Sequence, residues 1–203
     1  MRIGIFGGSF DPVHLGHLWI AESAIETLGL DQLRWIPAAT SPLKPGGATA
    51  GDSQRLQMVQ LAVAGADKHV VDDREIRRGD VSYTVDTLAE IRGELKRDDE
   101  LFLIIGSDSL ASMRQWHRPE DLLRMATLAV VQRGGEAGID FSVLHGSVDP
   151  DRIDYFRRNV VKMPVIEISS SEIRRRVAER RSIRFRVPGA VGAMIDADGL
   201  YRS

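Results

Sequence analysis

Two histidines stand three residues apart near the start of the chain, in the segment Gly7-Gly8-Ser9-Phe10-Asp11-Pro12-Val13-His14-Leu15-Gly16-His17. That spacing puts His14 and His17 on one face of a helix, and Gly16 leaves room beside them. Two imidazoles aimed at one point could hold phosphate oxygens, and the paired glycines let backbone N–H groups approach the same anion. The pattern is neither G-x-G-x-x-G nor G-x-x-x-x-G-K-[ST], which disfavours a dehydrogenase-type dinucleotide site and a P-loop. Zinc would need further ligands, and the chain has no cysteine and no H-E-x-x-H helix. A purely structural pair of histidines stays open from these residues alone.

Three later segments carry similar chemistry. Ile104-Ile105-Gly106-Ser107-Asp108 joins a glycine, for close approach of a base, to an acid that can bond a ribose hydroxyl. Trp116, eight residues on, offers a flat aromatic face. Ile168-Ser169-Ser170-Ser171-Glu172-Ile173-Arg174 ends on a guanidinium suited to charge-assisted bonds with phosphate, while Ser170 and Ser171 supply hydroxyl and backbone donors. Thr84 follows Tyr83 at a predicted helix N-cap, where exposed N–H groups could receive a carboxylate.

These residues must be positioned by short aliphatic strands alternating with longer segments of helical spacing. The predicted strands are 2–6, 32–36, 69–72, 101–105, 127–132 and 165–168. A first helix runs from about Leu15 to Leu28 and is stopped by Gly29. A second follows Asp52 or Ser53 as N-cap, with Leu56, Val59 and Val63 on neighbouring turns. A third starts near Thr84, and Pro119 and Pro150 open two shorter ones. The last two run from Ser171 to about Glu179 and from Pro188 to about Asp196, with Ser169 and Glu172 at capping-box spacing. The expected fold is α/β: a doubly wound parallel sheet, with C-terminal helices packed at its edge, in one domain over residues 1–203. Two long turn-rich loops, 37–51 and 134–146, are expected to be functional.

Composition excludes several classes. Apolar residues at 43% and charged residues at 28% are ordinary for a globular chain. No apolar run reaches the 18 or more residues of a membrane span, so no membrane partner is expected. The first six residues carry one positive charge and no long apolar region follows before Asp11, so no secretory signal is expected and cytoplasmic residence fits. The net charge of −2 is unevenly placed: residues 152–203 hold 12 basic and 6 acidic side chains, which suggests an anionic ligand near the C-terminal quarter.

The segment GGSFDPVHLGH resembles the H-x-G-H nucleotidyltransferases, and bacterial nicotinate-nucleotide adenylyltransferases in particular. The resemblance extends along the chain through the Pro42-Leu43-Lys44 loop, Glu75, Tyr83-Thr84, Gly106 to Asp108, Trp116 and the serine-rich turn before Arg174. Leu43 departs from the family, where histidine is usual. The resemblance implies a Rossmann-like nucleotidyltransferase fold and adenylyl transfer from ATP to nicotinate mononucleotide in NAD biosynthesis. It implies His14, His17, Lys44 and Arg174 as catalytic groups. ATP would lie on Gly7, Gly8, Ser9, Phe10, His17, Gly106, Asp108, Ser170, Ser171 and Arg174, and the mononucleotide on Ser9, Phe10, Tyr83, Thr84, Trp116 and Arg133. Magnesium would arrive on the ATP phosphates, with no protein ligand set for a metal.

A different acceptor, such as phosphopantetheine or nicotinamide mononucleotide, is the rival within enzymes; Trp116 and the Ser82 to Thr87 segment favour a pyridine nucleotide. A non-enzymatic nucleotide sensor or RNA-binding module would use the arginines of 174–186. No aromatic-studded sheet motif for RNA is visible, so nucleic acid is not an expected partner. Self-association into a homo-oligomer stays open, since sequence locates no surface patch.

Overall fold

A computed structural model describes residues 1–42, 46–135 and 138–202. Along the chain come β1 (Arg2–Gly8), α1 (Leu15–Leu28), β2 (Gln32–Pro37), α2 (Asp52–Val63), β3 (His69–Val71), α3 (Arg74–Arg78), α4 (Thr84–Glu94) and β4 (Glu100–Gly106). There follow α5 (Ser107–Ala111), α6 (Pro119–Met125), β5 (Thr127–Arg133), α7 (Pro150–Arg158), β6 (Val161–Met163), α8 (Ser170–Ala178) and α9 (Gly189–Ala197), with short 3₁₀ turns at Met113–Gln115 and Phe141–Leu144.

All the strand pairs are parallel, in the order β3-β2-β1-β4-β5-β6. Ile5 of β1 thus has Arg34 on one side and Leu103 on the other. Helices cover both faces, so the central strands read as unbroken apolar runs and not as alternations; residues 101–105 are all buried. Successive residues still serve different faces. Phe6, Trp35, Phe102 and Ile104 join one apolar cluster with Ala24 of α1, Met58 of α2 and Ile195 of α9. Ile5, Ile36, Leu103 and Ile105 join the other with Leu88 of α4, Leu122 of α6 and Phe156 of α7. The C-terminal α9 packs on α2, which lies over β2 and β3 at the margin of the sheet.

From β1 the chain winds outward through β2 on one side, and from β4 it winds outward through β5 on the other. The crevice at the carboxyl ends of β1 and β4 is the switch point where open α/β sheets bind ligands.

The sixth strand is not where sequence placed it. Residues 165–168 form no strand; β6 is Val161–Met163, paired to β5 through Val131–Val161 and Arg133–Met163. Pro164 follows and has no N–H to extend that ladder, and Val165 is exposed. Helix ends also shift by a residue: Gly51 is the N-cap of α2, α8 begins at Ser170 and α9 at Gly189, while α4 begins at Thr84 as expected but with Tyr83 as its N-cap. Ser169 caps α8 as expected, accepting from the Glu172 amide at 3.2 Å, while the Glu172 carboxylate pairs with Arg175 and Arg176.

Candidate active site

The turn after β1 builds the first wall. Phe10 is 2% exposed and has φ +47°, a backbone region that non-glycine residues enter rarely. Its ring is held by Phe6 and Trp35, with centroids at 5.5 and 5.4 Å, and meets the His17 ring edge-on at 5.1 Å. Gly8 fits this packing, because a Cβ there would lie 3.1 Å from the Phe10 ring.

His14 is the N-cap residue of α1 and His17 its third residue. The His14 backbone N–H donates to His17 Nδ1 at 3.2 Å, and the two rings stack at 3.7 Å. With Nδ1 accepting, a neutral His17 carries its proton on Nε2 and can donate there. His14 is 6% exposed; burial first, then the nearby Arg133 charge, pull its pKa down to about 4. It is therefore neutral at pH 7, and its buried Nδ1 has no hydrogen-bond partner within the protein. Gly16 makes room for that ring: a Cβ would stand 3.1 Å from His14 Cε1 and Nδ1.

The C-terminal α8 closes against the same turn. Ser170 Oγ donates to the Pro12 carbonyl at 2.9 Å. Arg174 Nη1 donates to the Asp11 carbonyl at 2.6 Å and lies 3.6 Å from Asp11 Oδ2, while Nη2 reaches Ser171 Oγ at 3.4 Å. Asp11 itself is buried and accepts from the Thr49 and Ala50 amides and from the Tyr201 hydroxyl. Beside it the fully buried Arg55 donates to the Ser9 and Ala39 carbonyls and pairs with Asp52 at 2.6 Å. The first turn, the 37–51 loop, α8 and Tyr201 are thus joined through two charged side chains.

The second wall begins at β4. Gly106 ends the strand, and a Cβ there would stand 2.4 Å from Asp108 Oδ1, so the absent side chain is what admits the aspartate's position. Trp116 is half-buried, with its indole N–H donating to Ser112 Oγ at 3.4 Å. Tyr83 faces the ring of His117 at 4.4 Å. Below them Glu75 is buried; burial raises its pKa, against bonds donated by Thr87 at 2.6 Å and by Ser82.

A cleft of about 1100 Å³ runs between the walls. It is lined by Gly7, Gly8, Ser9, Phe10, His14, His17, Tyr83, Thr84, Gly106, Asp108, Trp116, Arg133, Ser170, Ser171 and Arg174. Every sequence-predicted site residue among those described opens onto this one space. Lys44, with Leu43, lies outside the described residues. Of the C-terminal arginines, Arg174 reaches the cleft; Arg175 and Arg176 are occupied by Glu172, and Arg180, Arg181 and Arg184 line a separate surface depression.

Sequence reasoning gave no role to Asp11, Arg55 or His117. Asp11 lies within the glycine-histidine motif, but its partners Thr49 and Tyr201 are distant in sequence. His117 could have been found as the neighbour of Trp116.

Residues 5–176 match the cytidylyltransferase-like family. A probable nicotinate-nucleotide adenylyltransferase of Rhodopirellula baltica is 52% identical over 98% of this chain and 93% of its own length. One of Pseudomonas fluorescens, with the same name, is 40% identical over 100% of this chain and 98% of its own. This chain belongs to that family of nucleotidyltransferases. At the level of fold, the nicotinic acid mononucleotide adenylyltransferase of Plasmodium falciparum, solved in complex with NaAD, superposes with a TM-score of 0.72 at 18% identity, covering 98% of this chain and 97% of that one. A putative nicotinate-nucleotide adenylyltransferase from Vibrio parahaemolyticus gives 0.66 at 18% identity, covering 100% and 96%. Among the described residues no helix is long and apolar enough to cross a membrane.

Proposed function

We propose that the cleft binds ATP with its phosphates against His14, His17 and α8, and nicotinate mononucleotide against Trp116, and joins them into nicotinate adenine dinucleotide with release of pyrophosphate. The observation that carries this reading is the convergence of His17, from the start of the chain, and Arg174, from its last quarter, on one cleft whose far wall is aromatic. Kinship with adenylyltransferases of that name supports the same choice of acceptor. The whole chain would serve as one catalytic domain.

The nucleophile is a phosphate oxygen of the mononucleotide. It is already ionised, so no side-chain base and no covalent intermediate is needed. It attacks the α-phosphorus of ATP, and the bond to the bridging oxygen of pyrophosphate breaks. Catalysis then consists of alignment and of meeting charge on the five-coordinate centre and the leaving group. His17 Nε2–H and Ser171 would donate to phosphate oxygens. Arg174, held at Nη1, keeps further donors for the β- and γ-phosphates. Tyr83, Thr84 and Trp116 would hold the pyridine end, and Asp108 a ribose hydroxyl.

Magnesium fits as a passenger on the ATP phosphates, because the donors lining the phosphate end are imidazole, hydroxyl and guanidinium groups, with the Asp11 carboxylate committed to protein partners. When bound it supplies charge neutralisation on the phosphates.

The test is pyrophosphate release with magnesium, ATP and, in turn, nicotinate mononucleotide, nicotinamide mononucleotide and phosphopantetheine. The nicotinate form should give by far the highest kcat/KM. Turnover with the amide or with phosphopantetheine alone would overturn the assignment, and ATP binding without release in any mixture would point to a nucleotide sensor.

A further inference from the structure

We propose that Tyr201 and Asp11 form a positioning pair that keeps Arg174 available to the phosphates of ATP. The claim rests on the reaction assigned above only in taking Arg174 as a phosphate-binding group. Asp11 is 4% exposed and sits directly behind Arg174. Left alone, a buried carboxylate beside a guanidinium would close into a bidentate pair, the strongest arrangement open to both groups. Here it does not. Oδ1 accepts from the Tyr201 hydroxyl at 2.8 Å and the Ala50 amide at 3.0 Å, Oδ2 accepts from the Thr49 amide at 2.7 Å, and the nearest guanidinium nitrogen stays 3.6 Å away. Arg174 instead donates at 2.6 Å to the backbone carbonyl of Asp11. A carbonyl fixes the guanidinium's place, and the longer 3.6 Å ion pair to Oδ2 offsets its charge less than a bidentate pair would.

Three donors therefore hold the carboxylate off the arginine, and two of them are backbone amides fixed by the end of the 37–51 loop. The third is a side chain 190 residues away. Burial and the Asp11 bond both push the Tyr201 phenol pKa up, so the hydroxyl remains a donor at any working pH. Replacing Tyr201 by phenylalanine removes that donor and little else. Oδ1 then has an empty direction and the carboxylate is freer to turn toward Arg174, where it competes with the triphosphate for the same charge. The consequence should be selective. ATP should bind more weakly, while the pyridine end, on the opposite wall, should not notice.

The experiment is a double-mutant cycle on the full chain with Tyr201→Phe and Arg174→Ala, reading ATP affinity by calorimetry and KM and kcat by pyrophosphate release. Tyr201→Phe should raise the Kd and KM for ATP about three- to tenfold, the range of weakening one charge-assisted contact. It should leave kcat and the acceptor KM within about twofold, and in the Arg174→Ala background it should add less than about twofold, since coupled residues are not additive. An unchanged ATP affinity in Tyr201→Phe would overturn the proposal, as would the same loss with Arg174 already removed. A uniform fall in kcat with both KM values raised would also overturn it, assigning Tyr201 to stability alone. Because ATP affinity is read without an acceptor, a wrong acceptor assignment would show as absent turnover in the wild-type chain while the cycle still decides the role of Tyr201.

Discussion

The two ends of the cleft are built by different rules. At the end proposed to hold the phosphates the polar groups are buried and bonded: His14 is 6% exposed, Asp11 4% and Arg55 0%, with α8 tied to the first turn by two side chains. At the end proposed to hold the mononucleotide His117 is exposed, Tyr83 and Thr84 are half-buried, and Trp116 keeps one long bond to Ser112. Charge that develops on phosphorus and on leaving pyrophosphate must be met by donors that do not reorganise, which calls for rigidity. A flat pyridine ring needs a face to lie on, and aromatic side chains supply one at small entropic cost. The expected outcome is that loss of an imidazole at the first end reaches rate or stability, and that loss of the aromatic face at the second reaches acceptor affinity.

The strongest attempt to break that contrast is His17→Ala. Loss of one preorganised donor should lower kcat/KM by about 10²-fold or more, mostly in kcat, with a native circular-dichroism spectrum. Near wild-type turnover would remove the histidine from the chemistry. A comparable effect is expected on stability at His14. Its folded pKa of about 4 lies below the ordinary 6.5, so between those values the unfolded chain binds the proton and the folded one does not. Stability is therefore lost as pH falls through that window, by up to about 3 kcal/mol from this group. Urea unfolding of wild type against His14→Gln, from pH 8 to pH 4, should show the stability difference shifting against wild type only below about pH 7, since glutamine does not titrate. A difference independent of pH would mean the ring is not buried as described.

Trp116→Ala tests the other end. It should raise the acceptor KM about tenfold, the loss of one stacking face, while the ATP KM and Tm stay near wild type. Equal rises in both KM values would dissolve the distinction between the ends. The smallest effect sharpens it. Glu75 lies buried under the mononucleotide end with its pKa raised by burial, so its ionised form costs stability as pH rises above the usual carboxylate range. Glu75→Gln should give a small rise in Tm at pH 8 that vanishes near pH 4, and a fall at pH 8 would show that the charge is needed for packing.

Much of the phosphate end was legible because it is local. Eleven consecutive residues contain the strand end, the turn, the cap and both histidines, and Gly29 stops α1 with φ +57° as its type suggests. The strand-helix alternation likewise gave the parallel sheet. What sequence hid is long-range or short-range in the extreme. The Asp11 bonds to Thr49 and Tyr201 span 38 and 190 residues and leave no periodic trace. The five-residue α3 and α5 are too short to show a helical period. The stretch 165–168, β-branched but for Glu167, mimicked a strand, and the proline before it, which ends β6, tells otherwise.

The doubly wound topology places the two segments proposed to hold the phosphates, the turn before α1 and α8, side by side in space, with Pro12 and Ser170 hydrogen-bonded although 158 positions apart along the chain. A polypeptide cleaved between β5 and α7 would therefore yield one piece bearing the imidazoles and another bearing the guanidinium, each inert by itself. Mixing the two halves should restore turnover to the extent that β6 regains its place beside β5, which makes fragment complementation a direct readout of assembly.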